Sequence, residues 1–210
     1  MARVKGTIAS QLSGTIGGLV FVQVGDKTYV RTAPNRKKNS WSKKQQQHRS
    51  RFQACTRFYQ ALRETVVIPI WNLSATKNLS GYNLFMKTNL PAFDAEGARI
   101  DPALLHFSTG TLPLPQHLSI ARDETSPTTV QISWSAELIT RAEQPDDELL
   151  LMMIRNDFQT FGPIETECLR KDGSCRFDLS EWASESKWNL YLFFASADRT
   201  RYSTDQYFSV

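Results

Sequence analysis

The sequence predicts an α+β protein, with a β-hairpin and helices in its first half and an antiparallel β-sandwich in its second half. Three observations carry this prediction. Two β-prone runs near the N-terminus are joined by a two-residue turn, apolar residues then recur at helical spacing, and seven short β-prone runs follow Pro115.

The hairpin is predicted from residues 19 to 32. Leu19 to Val24 and Lys27 to Thr32 are both rich in β-branched and aromatic residues, and only Gly25-Asp26 separates them. A Gly-Asp pair between two such runs is typical of a two-residue hairpin turn.

A helix is predicted over residues 43–65, which contain no glycine or proline. Its apolar residues recur every three or four positions, so we expect a buried side formed by Phe52, Cys55, Phe58 and Leu62. On the same helix we expect four cations to be exposed, namely Lys43, Lys44, Arg49 and Arg57. One or two shorter helices follow around the break at residues 79–81, the second beginning at Ser80 or Gly81.

After Pro115 the pattern changes to short β-prone runs separated by turn residues. They cover residues 118–120, 129–134, 149–154, 164–169, 175–179, 188–195 and 206–210. Seven strands with a tryptophan near the second are typical of an immunoglobulin or fibronectin type III-like sandwich, and we expect Trp134 in its core. The predicted domains are a basic hairpin-and-helix module (1–90), a connector (91–114) and a β-sandwich domain (115–210).

Charge divides the chain into two unlike halves. Residues 1–90 hold 15 of the 25 Lys and Arg but only two acids, a net charge of +13, whereas residues 91–210 carry a net charge of −9. Surfaces of opposite sign attract over roughly 8–10 Å at physiological salt. The basic half is therefore expected to meet an acidic surface.

The basic charge is densest between residues 31 and 57, where nine cations and no acid surround a tryptophan. We predict partner or nucleic-acid binding by Arg31, Arg36, Lys37, Lys38, Trp41, Lys43, Lys44, Arg49, Arg51 and Arg57. Two partners fit this pattern: an acidic protein surface, which includes other copies of the chain, and a phosphate backbone. A solvated helix face is the alternative in which the segment binds nothing.

The sequence shows no constellation that an enzyme requires. His48, His106 and His117 stand apart from any second ligand at metal-binding spacing, and the glycines at 14–18 lack the lysine of a phosphate-binding loop. Asp146-Asp147-Glu148 is predicted to be a polar turn rather than a calcium site. We therefore predict a non-enzymatic protein with no metal, no cofactor and no small-molecule substrate.

The three cysteines predict reduced thiols. If Asp172-Gly173 forms a two-residue turn, Cys168 and Cys175 lie on a diagonal and too far apart for a disulfide, whereas a four-residue loop would allow one. The N-terminus does not resemble a signal peptide, and the sequence contains no run of 18 apolar residues. These observations predict a cytoplasmic protein that is not in a membrane.

Several motifs resemble an uncharacterised family of Bacteroidetes proteins known as a domain of unknown function. In the first half they are Gly14-x-x-Gly17, Tyr29 to Pro34, Gln46-x-x-Arg49-x-x-Phe52, Trp71 and Ser80 to Phe85. In the second half they are Ile132 to Trp134, Asp146-Asp147, Arg170 with Asp172-Gly173, Tyr191 to Phe194 and Ser203 to Phe208. The segment from Gln46 to Phe85 also resembles small proteins encoded among phage and prophage virion genes. The resemblance implies a structural, virion-associated role and no catalytic activity.

Overall fold

A computed structural model describes residues 2–4, 12–34, 41–123, 126, 128–154, 160–180 and 188–210. Every pair of neighbouring strands in its sheets is antiparallel, and the strands are combined with three α-helices, which confirms the predicted α+β class. The chain forms two compact units, Met1–Ser42 (the N-terminal unit) and Lys43–Val210 (the C-terminal unit).

The elements follow one another in chain order. The strands of the N-terminal unit are β1 (Ala2–Val4), β2 (Gly14–Ile16), β3 (Leu19–Val24) and β4 (Lys27–Thr32). The helices are α1 (Lys43–Ala61), α2 (Val67–Leu73) and α3 (Gly81–Asn89). The remaining strands are β5 (Ser119–Arg122), β6 (Thr129–Ser133), β7 (Glu148–Ile154), β8 (Thr160–Leu169), β9 (Ser174–Asp178), β10 (Asn189–Ala195) and β11 (Gln206–Ser209).

The N-terminal unit contains the predicted hairpin. Strands β3 and β4 pair with Val24 opposite Lys27, so Gly25-Asp26 is the turn, as predicted. A second tight turn at Gly17-Gly18 joins β2 to β3, and both glycines have positive φ angles of 54° and 78°, which side chains disfavour. The sheet has the order β1-β4-β3-β2.

Helix α1 ends at Ala61, four residues before the predicted end. The Thr65 hydroxyl donates to the carbonyl of Leu62 (2.7 Å) and accepts from the N–H of Val67 (3.3 Å). These local bonds compete with helical hydrogen bonding and start α2 in a new direction. Helix α3 begins as predicted, because the Ser80 side chain caps it by accepting from the N–H of Asn83 (3.3 Å).

Seven strands of the C-terminal unit lie at the predicted places and form two sheets, with the orders β11-β10-β7-β8 and β5-β6-β9. The position of strand β7 between two cores explains why its sequence is apolar without alternation. Leu149 and Leu151 contribute to a core shared with Ile132 of the smaller sheet, whereas Leu150 and Met152 contribute to a second core. A strand that is buried on both faces needs apolar residues at every position.

The helices cover the second face of the larger sheet. Phe58 and Phe85 pack in one core with Tyr191 and Phe193 of β10. Because this core joins helices to strands, residues 43–210 form one compact unit, whereas the sequence placed boundaries near residues 90 and 115. No helix in the described ranges is both long and apolar enough to cross a bilayer.

The prediction of three reduced cysteines is wrong, because Cys168 and Cys175 form a disulfide and only Cys55 is free. The predicted two-residue turn is replaced by a short 3-10 helix from Arg170 to Asp172, which Gly173 ends with a φ of 68°. Strands β8 and β9 consequently belong to different sheets. The longer loop brings the two Cα atoms to 6.0 Å, within the range of disulfides, and the bond joins the sheets.

Candidate functional site

The ten residues predicted to bind a partner fall into three groups. Arg31 and Trp41 lie in the N-terminal unit and are exposed. Arg36, Lys37 and Lys38 lie outside the described residues. The structure brings the other five together on α1: Lys43, Lys44, Arg49, Arg51 and Arg57.

The outward side of α1 carries one row of cationic and amide side chains. Its exposed members follow one another at intervals of three or four residues: Gln46, Arg49, Gln53, Arg57 and Gln60. Side chains with this spacing lie on one side of a helix. Since α1 contains no acidic residue, the row presents donors and positive charge without a carboxylate from the same helix.

The first turn of α1 adds positive charge where a helix least favours it. Lys43 and Lys44 are exposed there, and the turn contains no acidic residue. The partial positive charge at a helix N-terminus disfavours cations by about 0.3–1 kcal/mol each. An anionic partner surface beside this turn would interact favourably with both lysines and with the helix N-terminus, and so would offset this cost.

Arg51 contacts the loop at 94–97, which follows α3. It is half-buried, and its Nε donates to the carbonyl of Asp94 at 3.3 Å. Next to it, Gln47 Nε2 donates to Glu96 Oε1 (3.3 Å). A Cβ on Gly97 would lie 2.7 Å from the carbonyl oxygen of Ser50, so only glycine permits this approach of the loop to α1.

The predicted burial of Phe52 is wrong, because 42% of this residue is exposed. The buried side of α1 is defined by Cys55 and Phe58, and Leu62 just after the helix is buried as well, as predicted. This side continues toward the N-terminus through half-buried Arg51 rather than Phe52. Phe52 lies on the flank of that side. An aromatic ring therefore accompanies the exposed cations.

Sequence reasoning missed a second site in the C-terminal unit, a groove with a volume of about 410 Å³. Four segments form it: the end of α2 with Leu73 and Ser74, Leu84 of α3, the loop at 109–111, and the loop at 200–202. Arg201 supplies its cation. No local sequence pattern could reveal the groove, because its walls come together only in the folded unit.

A buried ion network supports the loop beside Arg201. The Arg170 side chain is fully buried, and it donates to Asp147 Oδ2 (3.0 Å), Glu143 Oε1 (3.4 Å) and the carbonyl of Pro113 (2.7 Å). Burial alone would raise the pKa of Glu143, but the N–H groups of residues 139 and 140 and the charge of Arg170 hold it below the usual value. Glu143 thereby keeps the loop at 139–142 in place.

His106 has a carboxylate partner, which the sequence did not indicate. Its Nδ1 lies 2.9 Å from Asp205 Oδ1, and Asp205 Oδ2 accepts from the N–H of Phe107 at 2.7 Å. The hydrogen bond from Asp205 raises the pKa of His106, although burial opposes this. Among the described residues, no group of three His, Cys, Asp or Glu side chains could hold a metal ion.

Comparisons with known proteins add no relative. No protein-family model matches this chain, and neither a curated protein nor a solved structure matches it. The resemblance to the Bacteroidetes family and to virion proteins therefore stays a prediction.

Proposed function

We propose that this protein is a non-enzymatic assembly or binding protein that docks on an acidic surface through the outward side of α1. The observation that carries this proposal is the row containing Arg49 and Arg57, which is exposed on a helix without a single acid. The two lysines of the first turn add charge of the same sign. Cations that are close together repel one another, and an acidic partner relieves this repulsion.

The partner is proposed to be a protein, and another copy of the chain is one candidate. Phe52 offers apolar area beside the cations, as a specific protein interface requires. Residues 91–210 have a net charge of −9, so the acidic half of a neighbouring copy is electrostatically complementary. Incorporation into a phage- or prophage-derived virion is part of the proposal, and it rests on the sequence resemblance alone. The protein is proposed to be cytoplasmic before such assembly.

The second half is proposed to be an immunoglobulin or fibronectin type III-like module for packing or adhesion. The order of its strands supports this. The first, second and fifth strands (β5, β6, β9) share one sheet, and the third, sixth and seventh (β7, β10, β11) share the other, as strands A, B, E and C, F, G do in immunoglobulin domains. The fourth strand, β8, pairs with the third instead of the fifth, as an added C′ strand would.

The alternative function is sequence-independent binding of nucleic acid. The donors of the row favour it, because arginine and glutamine side chains both bind phosphate oxygens. Such binding depends steeply on salt, with a log–log slope of about −0.9 per phosphate contact on duplex DNA.

One variant separates these functions. Arg49→Glu with Arg57→Glu reverses two charges of the row, and Arg176→Glu, at an exposed position of β9, is the charge-reversal control. Light scattering at rising protein concentration reports self-assembly, and fluorescence anisotropy with a duplex DNA fragment reports nucleic-acid binding. We expect wild type and the control to assemble without DNA, and the double variant to lose assembly. The alternative would be favoured if wild type stays monomeric and binds DNA. In that case the double variant should reduce the slope of log affinity against log salt concentration by roughly 0.9 per lost phosphate contact.

A further inference from the structure

The groove at the end of α2 has walls that tertiary contacts hold in place. A Cβ on Gly110 would lie 2.1 Å from the carbonyl oxygen of Tyr202, so residue 110 must be glycine for the two segments to lie side by side. The same carbonyl accepts from the N–H of Leu112 at 3.0 Å. Across the groove, the Ser74 hydroxyl donates to the carbonyl of Thr109 (3.2 Å). A site preformed in this way loses little conformational freedom when it binds.

The apolar part of the groove suits an aliphatic side chain rather than a sugar or a base. Leu73 is 57% exposed at the end of α2, and half-buried Leu84 lies beside it. Tyr202 also lines the groove, but only 7% of this residue is exposed. Its ring is therefore covered, and a flat ligand has no aromatic face on which to stack.

Arg201 adds one positive charge at the rim. Its Nη1 donates to the carbonyl of Ala142 (3.0 Å), and none of the ion pairs within the described residues includes its guanidinium. The nearby carboxylate of Asp198 accepts hydrogen bonds from Ser196 and Thr200 instead. Those bonds, with that from the Ser196 hydroxyl first, lower the pKa of Asp198 to about 2, and the nearby charge of Arg201 contributes to this shift without forming an ion pair. The remaining donors of Arg201 suit a carboxylate, which guanidinium binds in a forked geometry.

The loop beside this rim presents a second apolar surface. Leu138 and Ile139 are 43% and 55% exposed. Glu143 fixes their loop by accepting from the N–H groups of Ile139 (2.7 Å) and Thr140 (2.6 Å). Exposed apolar side chains on a loop held in this way are typical of recognition surfaces.

We propose that this groove binds a peptide segment of a partner protein, with an aliphatic side chain against Leu73 and a neighbouring carboxylate on Arg201. The apolar wall and the single cation each select one part of this ligand. The site is separate from the row on α1, so this proposal does not depend on the proposed function.

The probe is N-acetyl-leucyl-glutamate amide, with binding followed by NMR shifts of the backbone amides at 109–111 and 200–202. Leucyl-glutamine and glycyl-glutamate analogues remove the charge and the aliphatic group in turn. We expect both analogues to bind about ten-fold more weakly, as follows from the loss of a charge-assisted hydrogen bond or of a buried aliphatic group.

Two variants test the residues. Arg201→Gln keeps a donor for the carbonyl of Ala142 but removes the charge, and it should weaken binding of the leucyl-glutamate probe about ten-fold. It should leave binding of the leucyl-glutamine analogue unchanged. Leu73→Ser should weaken both, and Arg176→Gln is the matched surface control with wild-type binding.

Three outcomes would overturn the proposal. One is the absence of saturable shifts with the leucyl-glutamate probe. Another is equal affinity for this probe and the uncharged analogue. The third is tighter binding of a linear glucan trisaccharide at the same amides, which would assign the groove to carbohydrate.

Discussion

Replacing Arg170 with methionine should destabilise the C-terminal unit strongly, although methionine fills much of the same space. The arginine is fully buried, and its guanidinium lies 4.8 Å from the ring centre of Phe194. It pairs with Asp147 and Glu143, which are 0% and 4% exposed. Asp147 Oδ1 is buried without a hydrogen-bond partner among the described residues, and Asp147 Oδ2 accepts from Arg170.

The magnitude follows from what the change leaves behind. Methionine makes none of the three hydrogen bonds of Arg170 and leaves two buried carboxylates without a compensating cation. Breaking a buried ion pair by removing one partner costs about 3–5 kcal/mol. In a unit of this size, each kcal/mol lowers the melting temperature by about 2–4 °C, so we expect a fall of roughly 6–20 °C.

Urea unfolding followed by far-UV circular dichroism measures this loss. Arg176→Met is the matched control, because Arg176 is exposed and its side chain donates to Gln131 on the neighbouring strand. This change should alter stability by less than about 0.5 kcal/mol. Adding Asp147→Asn to Arg170→Met should recover part of the loss, since it removes one stranded charge. Stability within about 1 kcal/mol of wild type for Arg170→Met alone would refute this reasoning.

Three further predictions concern the pH response, the helix contact and the disulfide. Because Asp205 raises the pKa of His106, the charged histidine stabilises the folded chain fully below about pH 6.5 and loses this effect as pH rises through the folded pKa. His106→Gln should remove this pH response, which amounts to less than about 1 kcal/mol because the His106 side chain is half-exposed. An unchanged pH dependence of the urea midpoint in this variant would contradict the prediction. Gly81→Ala should lower the free energy of unfolding in urea by about 1–3 kcal/mol, because a Cβ would lie 2.8 Å from backbone atoms of α2. An unchanged urea midpoint would disprove this close contact. Replacing Cys168 and Cys175 with serine should lower the free energy of unfolding by about 2.5 kcal/mol, because the unfolded chain is no longer constrained by the closed loop. Thiol titration of the unfolded wild type should find one thiol without reductant and three with reductant. Three thiols under both conditions would exclude the disulfide.

The sequence predicted the elements whose causes are local. Gly25-Asp26 between two β-prone runs indicated its hairpin, and the side chain of Ser80 indicated the start of α3. The seven strands after Pro115 were predictable because turn residues separate them. The basic side of α1 was also predictable, since helical spacing places Arg49 and Arg57 on one side of any helix.

Other features depended on contacts between residues that are distant in the chain. Phe52 has the spacing of a core residue, but the neighbours of α1 cover the side with Arg51 and Cys55 instead. Arg170 is charged, and charged residues are almost never fully buried unless they are paired, yet Asp147 and Glu143 compensate its charge in the interior.

The sequence by itself determined the hairpin of β3 and β4, the start of α3, the seven strands after Pro115 and the separation of charge, because turns, helical spacing and composition act over a few residues. Tertiary structure alone decided that the helices share a core with the larger sheet, that Cys168 meets Cys175 between two sheets, and that Leu73 and Arg201 line one groove. The physical reason is that burial and pairing depend on which surfaces meet, and residues more than a hundred positions apart in the sequence meet only when the unit folds.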